Sequence, residues 1–461
     1  MKKLCLIDMN AEYIQYIPTD KYKIEILITG NIEQFRKKYG DSISVYYDVR
    51  DCFKNFNQTH KNNYNLTYAQ IEKFRPTQLK VEHGLQRKYS DMGYIQSIYF
   101  QALSYWLNIF QIYDIDVLFV TAFNHASIYD CIPIDIAISK NIPTYNIVSV
   151  SEYDKTSILQ VILLNQKKFI KLSPQNTFDT QHFINNLQLY YKTYFFKNKK
   201  ANFQHPYKFL FKNQIKTFPY YCLNIFRSHK RAYNKDYFLD KHEVFTSASY
   251  VKKLKKLYDK ISENPSLEEK FIYYPLHQEP EASIMARTTL VSQLLIIKWL
   301  SQSLPKGWKL YIKEHLSQFF SYEQNSYFLK NIHCFRSPQF YKQIKLLPNT
   351  CLVNINTPSN LLIQKSMGVA SIAGSSLLES CLLHKPIIIF GEGVTFLELL
   401  QDSFNITSKS SLTDAINKIV ERGGYIPYSD FTKIISQFAI LNDSKNIEKL
   451  FTNTLWNDNA N

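Results

Sequence analysis

Three short segments of this sequence carry side chains that together suit phosphate chemistry. In the first, the apolar run Val369 to Ala373 ends at Gly374, which permits a turn, and Ser375 and Ser376 follow where a helix N-cap and first turn would stand. The free N–H groups of a helix start and two small hydroxyls hold an anion, and Glu379, one turn further on, is placed to reach the diol of an attached ribose. The same residues also describe an ordinary strand-turn-helix crossover with a serine cap. The second segment, Tyr274 to Ser283, puts His277, two carboxylates including Glu281, and a hydroxyl into one loop whose prolines limit its freedom. The third, Tyr311 to His315, adds the cation of Lys313 and the imidazole of His315. A cation, an imidazole and a helix N-terminus neutralise a departing phosphate without a metal ion, which is the chemistry of nucleotide-sugar transfer. That chemistry calls for no cofactor.

Such loops converge only if the strands before them are parallel neighbours. Strands are expected near Leu4 to Met9, Lys23 to Thr29, Ile43 to Tyr47, Asp116 to Val120 and Thr144 to Val150, with helices at Ile32 to Lys38, twice within Tyr68 to Asp114, and at Ser127 to Lys140. A second alternation follows the polar connector Lys241 to Lys270. Its strands are expected at Phe271 to Leu276, Lys309 to Ile312, Cys351 to Asn354, Val369 to Ala373 and Ile387 to Phe390, and its helices at Ala286 to Ser303, Pro338 to Leu347, Ser359 to Ser366 and Ser375 to Leu383. In open parallel sheets the loops after the strands face the ligand crevice. His125, just past the strand Asp116 to Val120, is therefore a candidate base from the first half, although a lone histidine there also serves as a cap or surface residue. The tail Leu412 to Leu450 is helical in period and is expected to cross back to the first half.

The 461 residues exceed what one core organises, so we divide the chain at 1–240 and 241–461. The fold class expected is α/β, with two Rossmann-like doubly wound domains facing a cleft and a helical basic insertion. That insertion, Tyr191 to Lys235, holds eleven basic residues and no acid, with aromatics interleaved. It suits an anionic membrane surface, a single-stranded nucleic acid, or a solvated helical face whose aromatics pack inward. The net charge of +16 asks for an anionic partner without choosing one. Seven scattered cysteines, none spaced C-x-x-C, argue against a disulfide framework or zinc. No apolar run reaches the length of a membrane span, and the opening residues do not make a signal peptide, so a cytoplasmic location is expected.

The strings Y-x-P-L-H-x-x-P-E-A-S from Tyr273, L-P-x-G-W-x-L-Y-I-K-E-H from Leu304, and S-I-A-G-S-S-L-L-E-S-x-L-x-x-K-P-x-I-x-F-G from Ser371 resemble the bacterial capsule polysaccharide biosynthesis proteins, which include the Kdo transferases of capsule assembly. The resemblance covers Phe271 to Gly391 well and the first half only in outline. It implies a GT-B glycosyltransferase. On it, Lys313 and His315 match a K-E-H-P element, and Ser375, Ser376 and Glu379 match a serine-rich nucleotide-binding turn; bacterial sialyltransferases use a similar His-Pro plus Ser pair on the phosphate of a CMP-sugar. Leu316 stands where the family usually has proline, which implies a less rigid loop around His315. The resemblance thus implies transfer of an acidic 2-keto sugar, Kdo or a sialic-acid-like nonulosonate, from a CMP donor. The acceptor would be a glycan or lipid-linked, reached from the inner face of the cytoplasmic membrane. Glu281 or His277 would act at the reacting centre, with His125 as the alternative base and no metal. A CDP-polyol or UDP-sugar transferase would use much the same turn. A non-catalytic protein binding nucleic acid or polysaccharide would need only the charge, and with no nucleic-acid motif present no nucleic-acid partner is expected.

Overall fold

Runs such as Lys2–Ile7 and Gly368–Ser371 bury nearly every side chain on both faces, and a strand of that kind is stable only inside a sheet covered on both sides. The computed structural model describes residues 1–48, 65–86, 89–121, 128–153, 156–172, 185, 241–279, 288, 290–319 and 332–451. Two sheets account for the strands within them. The first contains β1 (Lys2–Ile7), β2 (Tyr22–Thr29), β3 (Ile43–Asp48), β4 (Val117–Thr121), β5 (Thr144–Tyr153), β6 (Thr156–Leu163) and β7 (Lys168–Phe169). The second contains β8 (Phe271–Pro275), β9 (Lys309–Lys313), β10 (Thr350–Leu352), β11 (Gly368–Ser371), β12 (Ile387–Ile389) and β13 (Phe404–Asn405). A last strand, β14 (Ile440–Leu441), returns to the first sheet and pairs antiparallel with β6.

The strand orders decide the architecture. The parallel part of the first sheet runs β3-β2-β1-β4-β5, and the second sheet, parallel throughout, runs β10-β9-β8-β11-β12-β13. Both are Rossmann orders, which reverse direction beside their first strand. Two such sheets in one chain form a GT-B-like α/β fold. The reversal points lie between β1 and β4 and between β8 and β11, and parallel sheets admit ligands at the carboxyl ends of strands beside such points.

The two halves are docked by apolar packing with a polar clamp inside it. Val148, Ile158, Ile162 and Phe169 of the first sheet share one buried cluster with Leu377, Leu378, Leu382, Phe396 and Leu397. Within it, the buried Gln160 amide donates to Val394 O at 2.7 Å and accepts from the Phe396 N–H at 2.8 Å. On another side, Phe335 packs into the core of the first sheet with Val81 and Leu85 and stacks on His83, ring centroids 5.1 Å apart.

Several expectations are corrected in detail. Tyr68 to Asp114 forms three helices, Tyr68–Lys73, Arg75–Leu85 and Met92–Ile112, because Pro76 lacks an N–H and restarts the helix at Phe74. The tail is not one helical stretch but Lys409–Glu421, Phe431–Phe438 and Ser444–Lys449. Gly423 and Gly424, with φ of 61° and 73°, end the first of these, and β14 separates the other two. The antiparallel edge β6-β7 was not anticipated. The basic segment 191–235 lies outside the described residues.

Replacing Gln160 by Leu should remove both hydrogen bonds, leave the buried Phe396 N–H without its acceptor, and cost about 1–3 kcal/mol. Urea unfolding measures this, and an unchanged midpoint would show that the docking does not use the clamp.

Candidate nucleotide site at the switch point of the second sheet

His277 leaves the end of β8 and Ser371 ends β11, so the two stand on either side of the reversal point. His277 Nε2 lies 3.1 Å from Ser371 Oγ, and Ser371 in turn donates to Ala373 O at 2.6 Å. The main chain of His277 is pinned as well: its N–H donates to Gln293 Oε1 at 2.8 Å, and its carbonyl accepts from the Gln293 amide and from Arg336. Protein atoms crowd around this residue although part of its surface stays accessible, and that burial lowers the imidazole from 6.5 to about 3, helped by the charges of His315 and Arg336. At neutral pH it is a neutral hydrogen-bonding group that ties the two strand ends together.

Lys313 and His315 follow on the neighbouring β9. The Lys313 side chain is buried and its ammonium donates to Ser359 Oγ at 2.9 Å. Glu314 is buried too, pointing to the other face of the sheet. One of its oxygens accepts the His315 N–H at 2.8 Å; the other accepts Tyr341 OH at 2.6 Å and Arg336 Nε at 2.9 Å. Burial pushes the Glu314 carboxyl up to about 8, against the pull of the Tyr341 and His315 hydrogen bonds. Since all three neighbours donate, the pocket is built for the carboxylate. His315 itself is exposed, just past the carboxyl end of β9.

The sequence led us to expect a loose loop here for want of a proline at Leu316. The backbone is fixed by other means. A 3₁₀ turn spans Leu316–Phe319, the Gln318 N–H donates to His315 O at 2.9 Å, and the buried Gln318 amide exchanges two hydrogen bonds of 2.7 and 2.8 Å with the main chain of Glu279.

The third loop holds a further correction. The N-cap of helix Ser375–Leu382 is Gly374, not a serine, and Gly374 sits at φ 120°, ψ 165°, a conformation essentially confined to glycine. Ser375 and Ser376 occupy the first turn, where helix N–H groups lack intrahelical acceptors. Rather than capping, Ser375 Oγ donates to Glu379 Oε1 at 3.2 Å. Glu379 is buried, and its charge raises the Tyr273 hydroxyl, already raised by burial and held by a hydrogen bond with Ser359. Lys313, Ser359, Tyr273, Glu379 and Ser375 thus form one polar row under the turn, anchored on two strands and two helices. At the helix start an anion would meet the backbone N–H groups of the first turn, with the His277 ring beside Gly374.

Sequence reasoning missed Tyr273, Ser359, Ser371, Gln318 and Arg336. Ser371 lay within a run read as apolar, and Ser359 follows Pro358 at a helix start; nothing local marks Arg336. Glu281 and His125 lie outside the described residues. At the reversal point of the first sheet stands a group the sequence did not single out. Asp8 follows β1 directly at φ 50°, its carbonyl accepts from the Thr121 hydroxyl at the end of β4, and burial pushes its carboxyl up to about 6, assisted by the charge of Asp130 and opposed by a hydrogen bond from Tyr129.

No family model matches the sequence, and no curated protein matches it. Among solved structures, UDP-GlcNAc 2-epimerase from Neisseria meningitidis bound to UDP-GlcNAc is similar over 94% of this chain and 98% of that chain, at 13% identity and a TM-score of 0.26. KpsC of Thermosulfurimonas dismutans, a beta Kdo 2,7 transferase, is similar over 67% of this chain and 79% of that one, at 10% identity and a TM-score of 0.28. For the spinosyn rhamnosyltransferase SpnG the figures are 98%, 97%, 10% and 0.25. Overlaps this loose carry no argument; the fold rests on the strand orders. Among the described residues no helix is long and apolar enough to cross a membrane, and no three His, Cys, Asp or Glu side chains are grouped to hold a metal ion.

The lowered imidazole gives a pH test. Between pH 6.5 and about 3 the unfolded chain protonates His277 and the folded chain does not, so stability falls as pH is lowered through that window. His277→Asn should flatten that fall in urea midpoints; parallel curves for the two proteins would mean that His277 is not held neutral.

Proposed function

We propose that the chain is a glycosyltransferase whose nucleotide-sugar donor lies on the second sheet. One observation supports the reading: the His277 ring stands against Ser371 and Gly374 between the ends of β8 and β11, with Lys313 and His315 at the end of the neighbouring β9. This is where a parallel sheet admits a ligand, and the groups present are those that neutralise a phosphate. His315 and the helix start would stabilise the departing phosphate, Lys313 would lend its charge from below, and Glu379 would orient the ribose. The acceptor would enter over the first sheet, where Asp8, with its carboxyl near 6, has the affinity for a proton that a general base requires at neutral pH.

The resemblance of the second-sheet motifs to capsule polysaccharide biosynthesis proteins suggests a CMP donor with an acidic 2-keto sugar, Kdo or a nonulosonate, and a glycan or lipid-linked acceptor; a CDP-polyol or UDP-sugar donor would use much the same turn. Calorimetric titration with CMP, CDP, UDP and a short RNA separates this from the rivals, because a specific ligand binds and stabilises the folded chain. CMP alone among them supports the reading, CDP or UDP moves it to the corresponding transferase, and RNA alone points to a non-catalytic binding protein.

Ser375→Ala with Ser376→Ala should weaken CMP binding by about 1–3 kcal/mol while the protein stays folded, as expected when hydroxyls contact a charged phosphate. Undiminished CMP affinity would remove the turn from the site. His315→Ala should lower kcat on the order of 100-fold while donor KM changes far less, because a leaving-group contact strengthens in the transition state. A change in KM alone would make His315 a binding residue only.

A further inference from the structure

Arg336 lies between the 3₁₀ turn Ile332–Cys334 and helix Pro338–Leu346, far in sequence from every motif, and its side chain is fully buried. Its guanidinium spends its donors on two different loops. One nitrogen donates to the His277 carbonyl at 2.8 Å; another reaches the Glu279 carboxylate and Phe335 O; Nε donates to Glu314 Oε2 at 2.9 Å. The group is seated over the Phe340 ring at 4.3 Å, and the Arg336 carbonyl is held by Tyr250 OH at 3.0 Å. A core ion pair would need one carboxylate. Here a single planar fork meets groups of both the loop after β8 and the loop after β9, and the Glu314 carboxylate passes the constraint on to the His315 N–H. The next residue, Phe335, is packed against the first sheet, so the same anchor touches the acceptor side.

We infer that Arg336 is a positioning residue, which sets the spacing of the His277 and His315 loops through its fork of hydrogen bonds without itself contacting the donor. The inference rests on the reading of those loops as the donor site, and it assigns to a residue outside the motifs the alignment on which turnover depends. A lysine at 336 keeps the charge, but its three N–H donors radiate from one nitrogen and cannot span acceptors that meet three separate nitrogens of the planar guanidinium, so charge alone does not substitute for the fork.

The test compares Arg336→Gln, Arg336→Lys and Tyr341→Phe with the wild-type chain in two measurements. In hydrogen exchange followed by mass spectrometry, without any ligand, Arg336→Gln should lose protection in both 276–279 and 314–318, while strands 271–275 and 309–313 and the first sheet keep theirs. Tyr341→Phe, which removes only a hydroxyl from Glu314, should lose protection in 314–318 alone. In turnover of CMP-Kdo, both Arg336 variants should lose kcat on the order of 10- to 100-fold, the effect of a small misplacement of catalytic groups, with donor KM within about threefold. Full rescue by lysine, unchanged protection of both loops, or protection lost evenly across the second sheet would overturn the inference. If Arg336→Gln does not fold, the lysine and Tyr341 variants decide it. A wild-type chain that turns over no CMP-Kdo would defeat the functional reading instead, and the exchange pattern would still judge Arg336.

Discussion

A buried guanidinium with more than one carboxylate is the constraint around which the second sheet is finished. Moving an isolated charge of this kind out of water costs far more than a whole domain's net stability, so Arg336 is tolerable only because every face of it is met: two carboxylates, two carbonyls and an aromatic ring. Burial still lowers its pKa to about 10, which leaves it charged at any physiological pH. Such pairs add little to stability compared with apolar packing of equal volume, and breaking one typically costs about 3–5 kcal/mol. Their contribution is geometric. A loop that must satisfy a fixed fork has one conformation, and here two loops must satisfy the same fork.

This explains how the loop after β9 is held without the proline that the motif resemblance led one to expect at Leu316. Proline restrains a backbone by removing a torsion. The chain reaches a comparable restraint through hydrogen bonds between loops: Glu314 to the His315 N–H, Gln318 with the main chain of Glu279, and Leu276 N–H to Lys313 O. Such bonds restrain the loop only while its neighbours are in place, so the order of the site depends on the fold around it, including the Phe335–His83 contact with the first sheet.

The electrostatics of the switch point follow from the same packing. His277 is neutral because it is crowded and stands near other positive groups, which leaves the fixed positive charge to the buried Lys313 and Arg336. In the proposed donor site, an anion above the Gly374 turn would meet the backbone dipoles of the helix start, with fixed charge behind them. Across the molecule, Asp8 has the opposite history: a carboxyl raised by burial and by a second carboxyl, at the corresponding point of the other sheet.

The sequence by itself determined the elements whose cause is local. A strand buried on both faces is written as an unbroken apolar run, and a helix start as a glycine or a small hydroxyl before a periodic stretch, so the parallel strands of both sheets except the two-residue β13, and the three loops at their ends, were legible. Gly374 was legible as a turn for the same reason, although which residue capped the helix was not, since Ser375 chose a carboxylate one turn away over the backbone. What only tertiary structure decided depends on partners distant in the chain. The strand β6 carries Gln160 in its middle, a residue that breaks the apolar pattern and is paid for by backbone groups of Val394 and Phe396. Strand β14 is two residues long and exists because β6 has an open edge. Arg336 reads as one more surface cation among 55 lysines and arginines until His277, Glu279 and Glu314 are brought to it. Burial turns such a residue from solvated charge into a structural fixture, and burial is a property of the whole chain's packing that no local pattern encodes.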